Sequence, residues 1–321
     1  MKTLIPAFAA ASLVLAAPST ATQQSDANAS PQWGVSLPSG PFAGKRDQQM
    51  LAAQIMLAAA QHSPGVIDGY PGGNSERAIR SFQKAKGLDV TGKLDDKTLS
   101  ALRSNTGSPL LEKYEISAED ASGDFRSPAS SMKKMAETGR VGYASLSEKL
   151  AEKFGMSEGL LKALNPGVKY GEGKSIVVVA QQPGSIGDVA RIEIEGSANE
   201  LRAFDEDGKI LASFPATVGS SEFPSPSGSM TVNAVAPEAN YTFDPSDQQW
   251  GGDETLVIPA GPNNPVGGIW IDLAKDGYGI HGSSDPAKIG KTASHGCVRL
   301  TNWDAQRLAK AVSQGTKVEF L

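Results

Sequence analysis

The sequence predicts a multidomain protein: a small all-α three-helix unit, a small α+β module, and a C-terminal, mainly antiparallel β domain with one helix. Three observations carry this. The 321 residues exceed one ordinary domain. Apolar residues recur at helical spacing from Asp47 to Leu102 and again from Ser145 to Leu164. From about Asp188 the spacing becomes alternation, as in Ile192-Glu193-Ile194-Glu195.

Met1-Lys2-Thr3 is a short positive start, and Leu4 to Ala17 is apolar, of signal-peptide length and too short to span a bilayer. Ser19-Thr20-Ala21 supplies the small residues of a cleavage site, so residues 1–21 read as a signal peptide. The mature chain is expected to be exported, without a transmembrane helix. Residues 22–44, rich in Ser, Pro, Gln and Asn, read as a flexible leader.

Residues 45–105 hold the three helices. Leu51, Ile55 and Ala58 mark the first, which ends near Pro64-Gly65. Ser75 is expected to cap the second, which carries Ala78, Ile79, Phe82 and Ala85 and stops at Gly87. Asp95 precedes the third, with Leu99 and Leu102. His62 reads as a surface residue at a helix end. Residues 106–139, of mixed charge and many small side chains, read as linker. In residues 140–182, Ser145-Leu146-Ser147-Glu148 matches a capping box, and Leu146, Leu150 and Phe154 share one face. Ser157 starts a helix that closes at Asn165-Pro166-Gly167, before a strand at Ile176-Val177-Val178-Val179.

Residues 187–321 form the β domain. Asp207-Gly208 is a hairpin signal. The one clear helix is capped by Asn302 or Asp304 and buries Ala305, Leu308, Ala309 and Val312. A net charge of −5 argues against nucleic acid as partner, and one cysteine excludes an intramolecular disulfide.

That cysteine, Cys297, sits in Ser294-His295-Gly296-Cys297-Val298-Arg299, and two of the three histidines, His281 and His295, lie near it in sequence. A free thiol, with a pKa of about 8.5, is mostly protonated at neutral pH and needs a base to become a nucleophile. His281, on a neighbouring strand, can approach the thiol across the sheet, with the Gly282 or Ser283 carbonyl fixing its tautomer. His295 alternates with the thiol along the chain and suits positioning and substrate contact. Gly296 removes a side chain where substrate would pass, and backbone N–H groups from His295 to Cys297 could form an oxyanion hole. Arg299 can meet a substrate carboxylate. Set against this are an inert buried cysteine, a structural ion pair for Arg299, and a zinc site from His281, His295 and Cys297. The zinc set lacks an obvious fourth ligand or activating carboxylate. No cofactor or metal is expected.

Residues 45–105 resemble the helical peptidoglycan-binding domain family, through Pro64-Gly65-Val66-Ile67-Asp68-Gly69, Ala78-Ile79-Arg80-Ser81-Phe82-Gln83, Gly87-Leu88 and Thr91-Gly92. Residues 140–182 resemble a degenerate LysM module, a glycan-binding fold, without a recognisable opening strand. Residues 187–321 resemble the YkuD-type L,D-transpeptidase domain. The resemblance rests on Gly277-Tyr278-Gly279-Ile280-His281-Gly282 and the run from Ser294 to Leu300, with Pro226-Ser227-Gly228, Ala239-Asn240-Tyr241 and Trp270 in support. It implies a β-sandwich with Cys297 as nucleophile, His281 as base, Gly282 as its orienter, and His295 and Gly296 at the oxyanion hole. Arg299, Ser294, Tyr278 and Asn302 are then the substrate contacts.

The implied activity is peptidoglycan L,D-transpeptidation. A tetrapeptide stem is cut at its third-residue carbonyl, D-alanine leaves, and an amine accepts the acyl group, giving a 3→3 cross-link or a tethered envelope protein. Implied partners are stem peptides, glycan and, as the other acceptor, that envelope protein; the implied setting is the periplasm or cell envelope, as a monomer shaping the wall. The alternatives are an L,D-carboxypeptidase or hydrolase of the same fold, and a non-catalytic wall-binding protein.

Overall fold

Three helices, α1 (Gln48–Ala59), α2 (Gly73–Ala85) and α3 (Asp96–Asn105), are the first regular elements of this computed structural model. It describes residues 1, 32–37, 46–107, 109–127, 129, 131–180, 183–244 and 254–321, so nearly all of the expected signal peptide and leader lies outside the described residues. Asp47 caps α1, its carboxylate accepting from the Met50 N–H at 2.8 Å, and Asp95 caps α3 through Thr98 N–H at 2.8 Å. Ser75 does not cap α2. It lies inside the first turn, buried, and its hydroxyl accepts from Gln54 Nε2. Gly72 takes the cap position without a side-chain bond.

The next unit begins with a strand in the stretch read as linker. β1 (Leu111–Glu115) pairs antiparallel with β2 (Ser175–Val179), matching Leu111 to Val179. Between them run α4 (Ala118–Ala121), α5 (Met132–Ala136), α6 (Leu146–Lys153) and α7 (Glu158–Leu164). Only Leu111 of β1 is buried, with Glu112, Lys113 and Glu115 outward. A five-residue edge strand so charged leaves little hydrophobic alternation to read. Ser145 and Ser157 cap α6 and α7.

One continuous apolar cluster runs from Leu51 and Phe82 through Leu111, Leu150 and Phe154 to Val179. The three-helix unit and the α+β module are therefore packed around a shared core.

The C-terminal domain holds β3 (Arg191–Glu195), β4 (Glu200–Phe204), β5 (Ile210–Pro215), β6 (Gly228–Ala236), β7 (Tyr241–Phe243), β8 (Leu256–Ile258), β9 (Trp270–Leu273), β10 (Gly279–His281), β11 (Val298–Arg299), α8 (Asn302–Ala309) and β12 (Lys317–Phe320). Eight strands form one sheet in the order β11-β10-β9-β6-β12-β3-β4-β5, and β7 pairs with β8 apart from it. Most pairings are antiparallel; β10–β11 and β12–β3 are parallel. β6 turns the sheet over. Its first half pairs with β12 and its second half with β9, with a register shift between Val232 and Ala234. Ile192, Leu201 and Phe214 from one half then meet Ile271, Ile280 and Val298 from the other, with Ala305 and Leu308 of α8. Thr301 caps α8, its hydroxyl accepting from the Asp304 N–H; Asn302 and Asp304 lie inside the first turn.

The upstream core is docked on this domain through buried polar groups. His62, expected at the surface, is buried there. Its Nδ1 meets Ser213 Oγ at 3.0 Å, and burial with the nearby charge of Lys86 holds its pKa down at about 3.

Candidate active site

Strand register assembles the site. β10 and β11 run parallel with Ile280 opposite Val298 and His281 opposite Arg299. Side chains alternate along a strand, so His281 and Arg299 share the sheet face that Cys297, one residue before β11, also faces. The core takes the opposite face through Ile280 and Val298, both fully buried.

His281 is held on two sides. Its Nδ1 lies 2.7 Å from the Gly282 carbonyl, which only accepts, so Nδ1 carries the proton and Nε2 is the free base. Trp270, its partner across the β9–β10 ladder, stacks on the ring at 5.4 Å and 19°. Burial, then the charge of Arg299, lowers its pKa from 6.5 to about 4, against a smaller opposing effect of the Gly282 carbonyl. The imidazole is neutral at pH 7.

The thiol is neutral as well. Burial pushes the Cys297 pKa up, against a backbone hydrogen bond from Gly279 and the charge of Arg299. Its Sγ lies 3.6 Å from the Gly277 carbonyl.

The turn carrying the thiol is braced from inside. Ser294, expected to touch substrate, is buried: its hydroxyl donates to the Cys297 carbonyl at 2.5 Å and accepts from the Gly296 N–H at 3.1 Å. Ser294 therefore shapes the turn. The Gly296 N–H, expected in the oxyanion hole, is committed to that bond, which leaves the neighbouring N–H groups of His295 and Cys297 as the donors to consider. Gly296 is required by its backbone: φ is +114°, and a Cβ would come within 2.8 Å of the Tyr278 ring. The space beside Gly296 thus holds Tyr278.

Ser225 is a brace that sequence reasoning missed. Its hydroxyl donates to the Gly296 carbonyl at 2.6 Å and accepts from the Gly219 N–H at 2.9 Å. It directly precedes Pro226-Ser227-Gly228, and that adjacency was the available signal. Phe223, exposed, lies 4.5 Å from the ring of exposed His295 and forms an open wall with it.

Asn302 is a further correction. It is 1% exposed, and its amide is used by the protein: Oδ1 accepts from the Ser283 N–H at 2.8 Å, and Nδ2 donates to the Pro262 carbonyl at 3.0 Å. It supports the turn after His281 from beneath, with no side left for substrate. Arg299 makes no ion pair among the described residues, and its buried Nε has no partner. Among the same residues, no three His, Cys, Asp or Glu side chains converge as metal ligands.

Fold and site together define a β domain that presents one thiol and one neutral imidazole on one sheet face, with a guanidinium that makes no ion pair among the described residues. That domain is an L,D-transpeptidase catalytic domain: residues 190–320 match the family of that description, and residues 46–102 match a peptidoglycan binding domain family. The chain is similar to the Bacillus licheniformis protein named Putative L,D-transpeptidase YkuD, at 29% identity over 177 residues, 54% of this chain and 92% of that protein. It is also similar to the Escherichia coli K12 protein named Probable L,D-transpeptidase YbiS, at 45% identity over 65 residues, 20% of this chain and 21% of that one. Among solved structures, an L,D-transpeptidase of Xylanimonas cellulosilytica aligns with 89% of this chain and 100% of its own, at 18% identity and TM-score 0.37. One from Mycobacterium smegmatis aligns with 46% of this chain and 66% of its own, at 20% identity and TM-score 0.34. No helix among the described residues is long and apolar enough to cross a membrane.

Proposed function

We propose that the chain is an exported peptidoglycan L,D-transpeptidase whose nucleophile is Cys297 and whose base is His281. The observation that carries this reading is the neutral imidazole, its Nδ1 proton committed to Gly282, on the sheet face of the only thiol.

His281 Nε2 takes the thiol proton as sulfur adds to the carbonyl of the third residue of a tetrapeptide stem. The oxyanion is met by the N–H of Cys297 and its neighbour. As the tetrahedral adduct collapses, the imidazolium returns the proton to the leaving nitrogen, D-alanine departs, and a thioester remains. An acceptor amine then adds to the thioester, loses a proton to His281, and expels the thiolate, forming one new amide. Arg299, with no carboxylate in ion-pair reach among the described residues, is suited to a stem carboxylate. Tyr278 and the exposed pair Phe223–His295 border the approach.

The matched peptidoglycan binding domain supports a wall location, and residues 1–21 support export by a cleaved signal peptide. Residues 140–182 are assigned a LysM-like, glycan-facing role on their helix–helix–strand order, α6, α7 and β2, alone. Purified tetrapeptide muropeptides, with and without a lysine-bearing envelope protein, test the reading by mass spectrometry. Cross-linked dimers or a stem–protein adduct, absent with Cys297→Ala, are expected. Trimmed monomers alone assign a carboxypeptidase; no change with folded protein refutes catalysis.

A further inference from the structure

Behind the catalytic histidine runs a chain of hydrogen bonds that leaves the catalytic domain. His281 Nδ1–H donates to the Gly282 carbonyl at 2.7 Å. That carbonyl and the Ser283 N–H belong to one planar peptide group, and the Ser283 N–H donates to Asn302 Oδ1 at 2.8 Å. Asn302 Nδ2 in turn donates to Glu152, 3.3 and 3.1 Å from its two carboxyl oxygens. Every donor points the same way, from the imidazole toward the carboxyl, and bonds aligned so polarise one another.

The place of each link is enforced. A Cβ on Gly282 or on Gly267 would collide with Asn302 Oδ1, so two bare backbones make room for this one atom. Glu152 is 7% exposed and has no Lys or Arg within ion-pair distance among the described residues. A buried carboxyl without a cation is costly unless something else justifies it. It sits on α6, in the α+β module.

Taking His281 as the base, as proposed above, we infer that Glu152 is a positioning residue of the active site, acting on His281 through Asn302 and the Gly282–Ser283 peptide. It does at a distance what the carboxylate of a serine-protease triad does in contact: it fixes the tautomer and favours the imidazolium that forms during acylation. The catalytic unit then includes a residue supplied by the upstream module.

The carboxyl's surroundings give the test a pH signature. Burial raises Glu152 to about 7, with Glu148 of the same helix adding to the effect and Asn302 and Tyr143 opposing it. The charge of Arg140 acts on Tyr143. Glu152 is thus charged at pH 8.5 and protonated at pH 5.5.

The experiment uses full-length protein with a soluble tetrapeptide donor and follows acyl-enzyme formation in wild type, Glu152→Gln, Glu152→Ala and His281→Ala. A neutral acceptor in place of a charged one weakens the last bond, so Glu152→Gln is expected to lower kcat by about tenfold at pH 8.5, with KM within about twofold. The gap should narrow toward pH 5.5. Glu152→Ala should lose more than Gln at both pH values, and Gln should recover part of that loss. Ser81→Ala, which removes a 2.5 Å bond to Glu200 at another point of the docking surface, reports the effect of loosened docking alone. It should lower Tm without moving the kcat profile.

The proposal is overturned if folded Glu152→Gln gives the wild-type kcat ratio at both pH values, or if its loss is independent of pH and matched by Ser81→Ala at equal Tm. If Glu152→Ala does not fold, the Gln ratio decides alone. If His281→Ala retains wild-type acylation, the base assignment fails and the proposal with it. A large loss in His281→Ala with none in Glu152→Gln overturns the proposal only.

Discussion

The half-buried thiol and the buried imidazole should both rest uncharged, and this can be tested directly. The perturbation is titration of wild type against Cys297→Ala, which removes the thiol and leaves every other chromophore. His281 is held at about 4, and burial sets the thiol above its ordinary value. With the free-thiol value of about 8.5 as a lower bound, the gap is at least about 4.5 pK units, so moving the proton from sulfur to nitrogen is uphill by roughly 6 kcal/mol. Attraction between the new ions, roughly 4 kcal/mol for a contact pair at an effective dielectric constant near 20, offsets part of that. About 2 kcal/mol remains, so no more than a few molecules in a hundred carry the ion pair at rest. The assay is the thiolate ultraviolet absorbance, wild type minus variant, from pH 4 to 10. The difference should stay flat through neutrality and rise only above the free-thiol range. A step between pH 4 and 7 would mean a preformed thiolate–imidazolium pair and would refute the reasoning. In that case His281 would be mainly a counter-ion.

Two further predictions follow from the same geometry. The folded-state pKa of His281 is lowered from 6.5 to about 4 and that of His62 to about 3, so the folded state binds fewer protons than the unfolded chain below about pH 6.5, and stability should climb as pH rises through that window. Glu152 has the opposite sign: raised from 4.5 to about 7, its contribution is complete below about 4.5 and lost as pH rises through 7, on the order of 3 kcal/mol. Wild-type Tm should therefore peak near pH 6 and fall slightly by pH 8, and Glu152→Gln should abolish the fall; parallel curves contradict the assignment. Ser225→Ala strands the Gly296 carbonyl and the Gly219 N–H, costing roughly 1–3 kcal/mol of local order. Acylation should slow by about tenfold or more while bulk Tm drops only a few degrees, and an unchanged acylation rate would show that the turn is braced without Ser225.

How far the site was legible depends on whether its information is local. His281-Gly282 and the run from Ser294 to Arg299 are contiguous, and their residue types announce thiol chemistry without reference to the rest of the chain. The helices were legible for the same reason, because an apolar stripe repeats within a few turns. Side-chain direction was not. Ser294 and Asn302 have polar groups suited to substrate, but each lies beneath a turn whose own N–H groups need acceptors, and the backbone claims them. Ser225 was hidden similarly, since its partner carbonyl lies 71 residues away. β1 was read as linker because its pairing partner is β2, far along the chain, and its outward residues are charged. His62 and Glu152 belong to types usually found exposed, and only the docked arrangement buries them.

That docking changes how wall binding and catalysis relate. Modules joined by a flexible tether would raise local concentration and nothing more. Here the segment joining the base to the nucleophile, residues 282–297, is gripped from upstream at two places. Asn302, itself bonded to Glu152 of α6, holds its start at Ser283. In α2, Asn74 Nδ2 donates to the Ile289 carbonyl at 2.9 Å and Arg77 donates to the Gly290 carbonyl at 2.7 Å, near its middle. Both grips are polar and largely buried, and polar joints tolerate fewer orientations than apolar ones because a shift of about an ångström leaves a donor unpaired at roughly 1–3 kcal/mol. The peptidoglycan binding domain therefore fixes the geometry of the loop that separates imidazole from thiol. A displacement of α2 at Asn74 and Arg77 is a displacement of that loop, whereas Ser81, further along the helix, bonds Glu200 of β4 and does not touch it.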